Sequence, residues 1–229
     1  MDTEIKFKLD RFMLNSLFSN PIYFIISLIA LLISLTVHEY AHAWVADRLG
    51  DPTARLKGRL SFNPLLHIDL AGAIFLILFG FGWGKPVPVD YYNLKNPRKD
   101  AALISLAGPL SNIILSIVLA IAIKLFSVFN LFILSTIGQI IFIPIIIISL
   151  RLGVFNLLPI HPLDGFKIVA GILPDDKAEE WLQLERLGMI FLLLLIFPIG
   201  GSSMLEIIIT PVFNFLINLF LPALSTGIV

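Results

Sequence analysis

A long apolar run near the start of the chain constrains its fold more than any other feature. No side chain from Ile22 to Val37 carries a charge, and strongly apolar runs recur over residues 101–126 and 131–158. About 20 apolar residues suffice for a helix to cross a bilayer. Over the whole chain 58% of the residues are hydrophobic and 14% are charged, whereas soluble domains carry about 25% charged residues. The sequence therefore predicts an all-α polytopic membrane protein with three spans.

The charge balance and the lack of cysteine exclude several functional classes. The 16 basic and 16 acidic residues cancel, which argues against a nucleic-acid partner. Because the chain contains no cysteine, it can form no disulfide, no thiolate metal site and no cysteine nucleophile.

The first apolar run ends in His38-Glu39-Tyr40-Ala41-His42. Residues four apart share one face of a helix, so both imidazoles can reach one cation, and Glu39 stands where a carboxylate can accept a proton from metal-bound water. Ionisable groups in a membrane helix cost roughly 2.5–3.5 kcal/mol each, so three together require a function or a partner. This H-E-x-x-H pattern predicts a zinc site. The alternative is a polar cluster that holds helices together.

A hydrolytic zinc site needs a third protein ligand and one open position. Asp164 fits best, because it lies just past the third apolar run, and Gly165 behind it permits a tight turn. A cap on the following helix is the other interpretation of Asp164. Spacing alone leaves both open.

Three further polar residues are candidates for weaker roles. Asn112 and Asn156 could each stabilise an oxyanion or hold an unwound substrate backbone, and interhelical hydrogen bonding is their alternative. His161 lies three residues from Asp164 and could approach the metal, although an indirect or purely structural role is the simpler interpretation.

The stretch 69–84 is apolar, glycine-rich and short for a span. The H-E-x-x-H motif lies at the exit end of the first span and Asp164 lies just beyond the third, so an even number of crossings must separate them. The runs 101–126 and 131–158 already supply two. We therefore expect 69–84 to be re-entrant, with its backbone groups paired internally, and the polar residues 48–68 to form turns and short strands.

These features divide the chain into three parts. Residues 1–20 alternate in polarity and then become amphipathic, which predicts a short strand followed by an interfacial helix. Residues 21–186 hold the candidate site. Residues 187–229 contain two apolar stretches around a Gly-Gly-Ser-Ser turn, which predicts a hairpin of C-terminal hydrophobic helices.

Basic residues orient the chain in the membrane. The loops 48–68 and 85–100 hold eight of them, and the segment 159–186 adds three, whereas the opposite face holds little beyond Lys6, Lys8 and Arg11. Since cytoplasmic loops carry the excess of lysine and arginine, the metal site is expected to open toward the cytoplasm.

Several motifs of the chain, from roughly Pro21 to Arg186, resemble the site-2 protease family of intramembrane zinc metalloproteases. The resemblance rests on His38-Glu39-x-x-His42, on Asn156-x-x-Pro159-x-x-Pro162-Leu163-Asp164-Gly165, and on Ala107-Gly108-Pro109-x-x-Asn112. Gly58-Arg59-Leu60 with Asn63-Pro64, and the residues 84–89, are similar to the small prokaryotic members. His161 stands where many relatives have proline, at a variable position of the motif.

The resemblance implies one zinc ion per chain, held by His38, His42 and Asp164, with Glu39 as general base. It also implies a three-span catalytic core without PDZ or CBS domains, in a multi-pass protein of the cell membrane. The implied function is regulated intramembrane proteolysis, in which peptide bonds within or near transmembrane segments of membrane proteins or signal peptides are hydrolysed.

Two other classes of function are compatible with parts of the pattern. A metal transporter could place histidines and carboxylates in its spans, but it would need a polar path across the membrane, and residues 131–150 and 187–221 supply almost none. A catalytically inactive scaffold of the same family would be expected to lack Glu39 or a ligand, and all are present.

Overall fold

The computed structural model describes residues 18–79, 82–199 and 202–221. The strand and interfacial helix predicted for residues 1–20 lie outside these ranges but for residues 18–20. In chain order, the helices considered below are α1 (Pro21–Arg48), α2 (Thr53–Leu56), α3 (Leu70–Phe79), α4 (Pro97–Val128), α5 (Phe132–Asn156), α6 (Asp164–Ile172), α7 (Asp175–Gln183), α8 (Glu185–Ile196) and α9 (Met204–Phe220). Two-residue strands, β1 (Pro198–Ile199) and β2 (Ser202–Ser203), form a small antiparallel pair between α8 and α9.

Among the described helices, α1, α4 and α5 are long and apolar enough to cross a membrane, with 28, 32 and 25 residues. Local sequence explains where α1 begins and ends. The Asn20 side chain accepts the Tyr23 N–H at 3.1 Å and Pro21 occupies the first turn, both of which favour a helix start. After Arg48 the chain turns through Gly50, whose φ of +110° is costly for a side chain other than glycine. The three spans predicted from the sequence are confirmed.

Polar and small residues join the three long helices. The Ser34 and Ser149 hydroxyls lie 2.7 Å apart, both fully buried, and link α1 to α5. The Ser116 hydroxyl of α4 also approaches the Ile146 carbonyl of α5 at 3.4 Å. Lipid tails are as apolar as leucine, so helices in a bilayer associate through close packing and such hydrogen bonds. Many large apolar side chains on the outer faces of these helices are exposed, as a lipid-facing surface requires.

The segment 69–84 leaves the core and returns to the same place. It contains the ten-residue helix α3, and its two ends meet in an antiparallel bridge between Ile68 and Gly84. The Lys85 N–H donates to the His67 carbonyl at 2.8 Å beside this bridge. This geometry agrees with the re-entrant segment predicted from the sequence. Strand character is limited to the bridge, however, since residues 48–68 contain α2 and a 3-10 turn at Pro64–Leu66 in place of the short strands.

The C-terminal part contains two apolar helices, as the sequence predicts, but neither reaches about 20 residues. Helix α8 has 12 residues and α9 has 17. Helix α9 begins with a capping box, in which Ser203 and Glu206 bond each other's backbone N–H groups. It packs against α5, where the Arg151 guanidinium lies 4.8 Å from the centre of the Phe213 ring. The assignment of 187–229 as a separate membrane hairpin stays a prediction.

Candidate metal centre

Helix α1 and the first residue of α6 bring three potential metal ligands together. His38 and His42 lie one turn apart on α1, with their ring centres separated by 4.6 Å. Asp164 Oδ2 lies 3.2 Å from His38 Nε2 and 3.3 Å from His42 Nε2. The ligand atoms of the three residues all lie within 4.8 Å of one another. One cation between these atoms would contact all three residues.

The surroundings of Asp164 favour a ligand over a helix cap. Asp164 is the first residue of α6, the cap position is Leu163, and no side chain caps this helix. Asp164 Oδ2 is buried and accepts no hydrogen bond within the described part of the chain. An orphaned buried oxygen beside two imidazole nitrogens fits a site built for a cation.

Electrostatics keep Asp164 ionised. Burial raises the pKa of the Asp164 carboxyl, but the adjoining imidazole rings of His42 and His38 outweigh burial and hold this pKa well below its usual range. An ionised carboxylate is the form that binds a metal.

The second nitrogen of each imidazole has a defined partner. His42 Nδ1 lies 2.7 Å from the Ile104 carbonyl oxygen, which can only accept, so the proton of a neutral His42 ring sits on Nδ1 and leaves the Nε2 lone pair free to bind a metal. His38 Nδ1 lies 3.1 Å from Asn112 Nδ2, and Asn112 is fully buried with its Oδ1 unpaired among the described residues. Helix α4 therefore contacts the Nδ1 atom of both histidines, and metal-binding imidazoles usually have such a partner on the nitrogen that does not bind the metal.

Two glycines leave room for this arrangement. A Cβ atom at Gly108 of α4 would stand 2.4 Å from His42 Nε2 and 2.7 Å from His38 Cε1. A Cβ atom at Gly165 would stand 2.3 Å from the carbonyl oxygens of Leu157 and Leu158, so the turn that delivers Asp164 requires glycine. The predicted role of Gly165 agrees with this contact, whereas the place of Gly108 against the histidines was not apparent from its sequence motif.

The remaining predicted residues lie at different distances from the centre. Glu39 is buried beside the histidines and is not one of the three converging ligands. Asn156 donates its side-chain amide to the Leu152 carbonyl one turn earlier at 2.9 Å, and no contact joins it to the three ligands in the described ranges. His161 turns toward Glu185 of α8, with Nδ1 3.8 Å from Oε1, and its ring packs on Phe166. Of the weaker candidates, Asn112 alone touches a ligand within the described residues.

A bundle of membrane helices that buries two histidines in H-E-x-x-H spacing with a distant aspartate defines the zinc metalloprotease class. The model of Peptidase family M50 matches residues 26–141, and the chain belongs to this family, the site-2 proteases. The metalloprotease activity and the zinc cofactor predicted from the sequence are thereby confirmed.

Three curated relatives are similar to this chain over most of its length. "Putative zinc metalloprotease YwhC" of Bacillus subtilis is 40% identical over 197 residues, which cover 84% of this chain and 88% of the relative. "Putative zinc metalloprotease MJ0611" of Methanocaldococcus jannaschii is 34% identical over 157 residues, 67% of this chain and 75% of the relative. "Putative zinc metalloprotease Rip2" of Mycobacterium tuberculosis is 29% identical over 180 residues, 75% of this chain and 66% of the relative. No solved structure matches the chain significantly.

Proposed function

We propose that this protein is an intramembrane protease, which hydrolyses peptide bonds within or near the transmembrane segments of membrane proteins or signal peptides. The observation that carries the proposal is the convergence of His38, His42 and Asp164 inside a bundle of membrane-crossing helices. A soluble substrate would have little access to a site that α1, α4 and α6 enclose. A membrane segment can reach it from within the bilayer.

The ligands of the zinc ion in this proposal are His38 Nε2, His42 Nε2 and one oxygen of Asp164. Bound zinc lowers the pKa of water to about 7 and polarises a carbonyl group. Glu39 is the general base of the proposed reaction. It follows His38 directly on α1, and its carboxylate takes a proton from the attacking water and delivers it to the leaving nitrogen.

Asn112 has a role in this proposal that follows from the chemistry of His38. A histidine that binds metal through Nε2 carries its proton on Nδ1, and that proton needs an acceptor. The Asn112 amide can accept it only through Oδ1, so the amide turns its oxygen toward His38 when the metal is bound. Asn112 then orients a ligand, in place of the oxyanion role considered from the sequence.

Asn156 remains a candidate for contact with the unwound substrate backbone. One of its two amide hydrogens is donated to the Leu152 carbonyl, so only the second is available to a substrate. The proposed role of Asn156 thus depends on substrate binding to a greater degree than the roles of the three ligands.

The depth of the site suits hydrolysis in a membrane. His38 lies about 24 Å along α1 at about 1.5 Å per residue, near the end of the span that the basic loops predict to face the cytoplasm. Water reaches that depth more readily than the bilayer centre. A substrate helix hides its carbonyl groups in its own hydrogen bonds and must unwind locally before cleavage.

A cleavage assay in proteoliposomes tests this proposal. The purified protein is reconstituted with a model transmembrane substrate, and product is measured with and without a zinc chelator, then after zinc is restored. We expect cleavage within the hydrophobic segment that the chelator abolishes and zinc restores. Cleavage confined to soluble peptides, or cleavage that survives the chelator, would contradict the proposal. Zinc flux into the vesicles without cleavage would instead support a transporter.

A further inference from the structure

Arg59 is a buried cation that the proposed reaction does not use. It follows α2, and only 6% of its surface is exposed. Its Nη2 donates to the Lys85 carbonyl at 2.6 Å and its Nη1 approaches the Pro86 carbonyl at 3.3 Å. Its Nε is buried without a hydrogen-bond partner, and within the described ranges no carboxylate forms an ion pair with it. Burying a charge costs several kcal/mol unless good partners compensate, so this placement calls for an explanation.

The two carbonyls that Arg59 binds belong to the point where the re-entrant segment returns. Gly84 is bridged to Ile68, and the Lys85 N–H donates to the His67 carbonyl. His67 is itself fully buried, with Nε2 2.8 Å from the Ser61 carbonyl. The peptide groups at Lys85 are therefore held from two sides, by the His67 backbone and by the Arg59 side chain.

This returning backbone lies against the metal-bearing face of α1. A Cβ atom at Gly84 would stand 2.8 Å from a methyl carbon of Leu35. Leu35 precedes His38 by three residues and Glu39 by four, so the three side chains share one face of the helix. The backbone at Gly84 thus passes about one turn before the candidate metal ligands.

Arg59 is also within electrostatic reach of Glu39. Burial lowers the pKa of the Arg59 guanidinium, and the charge of the Glu39 carboxylate opposes this shift. Arg59, the returning backbone and the proposed general base therefore belong to one neighbourhood.

We propose that Arg59 is a positioning residue that holds the Lys85–Pro86 backbone against the metal-bearing face of α1, where this backbone forms a fixed wall of the substrate cleft. The proposal rests on the proposed proteolytic function. A planar guanidinium can bind two successive carbonyls at once, which a lysine ammonium does less well. A fixed wall matters because misplacing a bound substrate by about 1 Å can cost about 10²-fold in rate.

If Arg59 only stabilised the fold, its substitution would lower the thermal stability of the protein together with its activity. Lys85 and Pro86 are exposed residues, so we expect water to reach their carbonyls once the guanidinium is removed. The loss of stability that follows when a buried carbonyl is left without a hydrogen-bond partner should then be small. We therefore expect substitution of Arg59 to make the Lys85–Pro86 backbone more mobile, while the thermal stability of the protein changes little.

The experiment compares Arg59→Met and Arg59→Lys with the control Arg55→Met. Arg55 is exposed on the same part of the chain and pairs with Asp47, away from the returning backbone. Hydrogen–deuterium exchange is followed in peptides that cover residues 83–90. Because Pro86 and Pro88 have no amide hydrogen, these peptides report chiefly on Lys85, Val87, Val89 and Asp90. The Lys85 amide is the informative one, since it donates to the His67 carbonyl beside the contact with Arg59, whereas the Asp90 amide donates to Asp51.

We expect Arg59→Met to speed exchange of the Lys85 amide at least about tenfold, while zinc stays near one per chain and kcat/KM falls about 10²-fold. Arg59→Lys should fall between Arg59→Met and the wild type, and Arg55→Met should match the wild type. Unchanged exchange in Arg59→Met would overturn the proposal, as would loss of zinc in parallel with activity. If Arg59→Met does not fold, the test rests on Arg59→Lys. Amide exchange and turnover equal to those of the wild type in Arg59→Lys would overturn the proposal.

The exchange measurement separates this proposal from the proposed function. If the wild type cleaves no membrane substrate, proteolysis is contradicted. Faster exchange around Lys85 in Arg59→Met would still support the positioning contact in that case.

Discussion

Gly108 of α4 lies directly against His42 of α1, so close that a Cβ atom at Gly108 would stand 2.4 Å from His42 Nε2. That nitrogen is one of the three proposed zinc ligands. The missing side chain at Gly108 therefore leaves the space in which the two histidines converge on Asp164.

Gly108→Ala should weaken zinc binding without unfolding the protein. The added methyl group must displace His42 or His38, because real Cβ atoms do not approach within 3.0 Å of other atoms. We expect zinc affinity to fall at least about tenfold, as when a supporting partner of a ligand is changed. Gly138→Ala is the matched control, since a Cβ atom there meets its nearest neighbour, Phe126, at an ordinary 3.5 Å. Equal zinc affinities for the two variants would contradict the proposed ligand set.

Asp164→Ala should lower the zinc content well below one ion per chain, because it removes a ligand. Elemental analysis of the purified variant measures this directly. His161→Ala serves as the control, since His161 faces Glu185 and should leave the zinc content unchanged. Full zinc content in Asp164→Ala would return Asp164 to a structural role in α6.

Glu39→Gln should abolish cleavage and retain zinc. The substitution keeps the size of the side chain and removes its ability to accept a proton, a function worth about 10²- to 10⁴-fold in rate. Turnover of a model transmembrane substrate and zinc content are measured on the same preparation. Turnover within tenfold of the wild type would assign the general base elsewhere.

Asp51 should make stability depend on pH in the acidic range. It is fully buried and accepts hydrogen bonds from the Asp90 N–H at 2.8 Å and the Asn93 side chain at 2.9 Å. Burial raises the pKa of Asp51, but bonds from Thr53, Asn93 and Asp90 outweigh burial and lower it below the ordinary 3.8. A carboxyl with a depressed pKa in the folded state contributes stability above the unfolded pKa and loses it as the pH falls through the folded pKa.

The test is thermal unfolding of the wild type and Asp51→Asn in detergent. At neutral pH we expect Asp51→Asn to cost about 1–3 kcal/mol, because bonds to a buried acceptor are lost. The difference should narrow as the pH falls below about 4, near the reference pKa of aspartate. Asp176→Asn, at an exposed position of α7, is the control. A difference that stays constant down to pH 2 would exclude Asp51 as the group responsible.

The re-entrant segment should place both of its flanks on one side of the membrane. Lys57 and Asn96 are exposed on either side of residues 69–84, whereas Ser127 lies at the far end of α4 from Asn96. Because the chain has no cysteine, single cysteines can be introduced at these positions. In intact cells, a membrane-impermeant thiol reagent should spare the cysteines at 57 and 96 and label the one at 127. Opposite labelling of positions 57 and 96 would contradict both the re-entrant segment and the shared metal site.

The sequence by itself determined the three spans, because crossing a bilayer demands long apolar helices and leaves few alternatives. The H-E-x-x-H spacing likewise placed His38 and His42 on one face of α1, since four residues are about one helical turn. Asp164 could be proposed as the third ligand, and the re-entrant path of residues 69–84 followed from the need to bring it to the same side as the histidines.

Only the tertiary structure decided which groups surround these residues. Spacing left Asp164 open between ligand and helix cap, and the choice depends on where the turn at Gly165 directs its carboxylate. The contacts of Gly108 with His42 and of Arg59 with the Lys85 carbonyl join segments far apart in the chain. Local periodicity carries no information about such contacts, because packing between distant elements sets them.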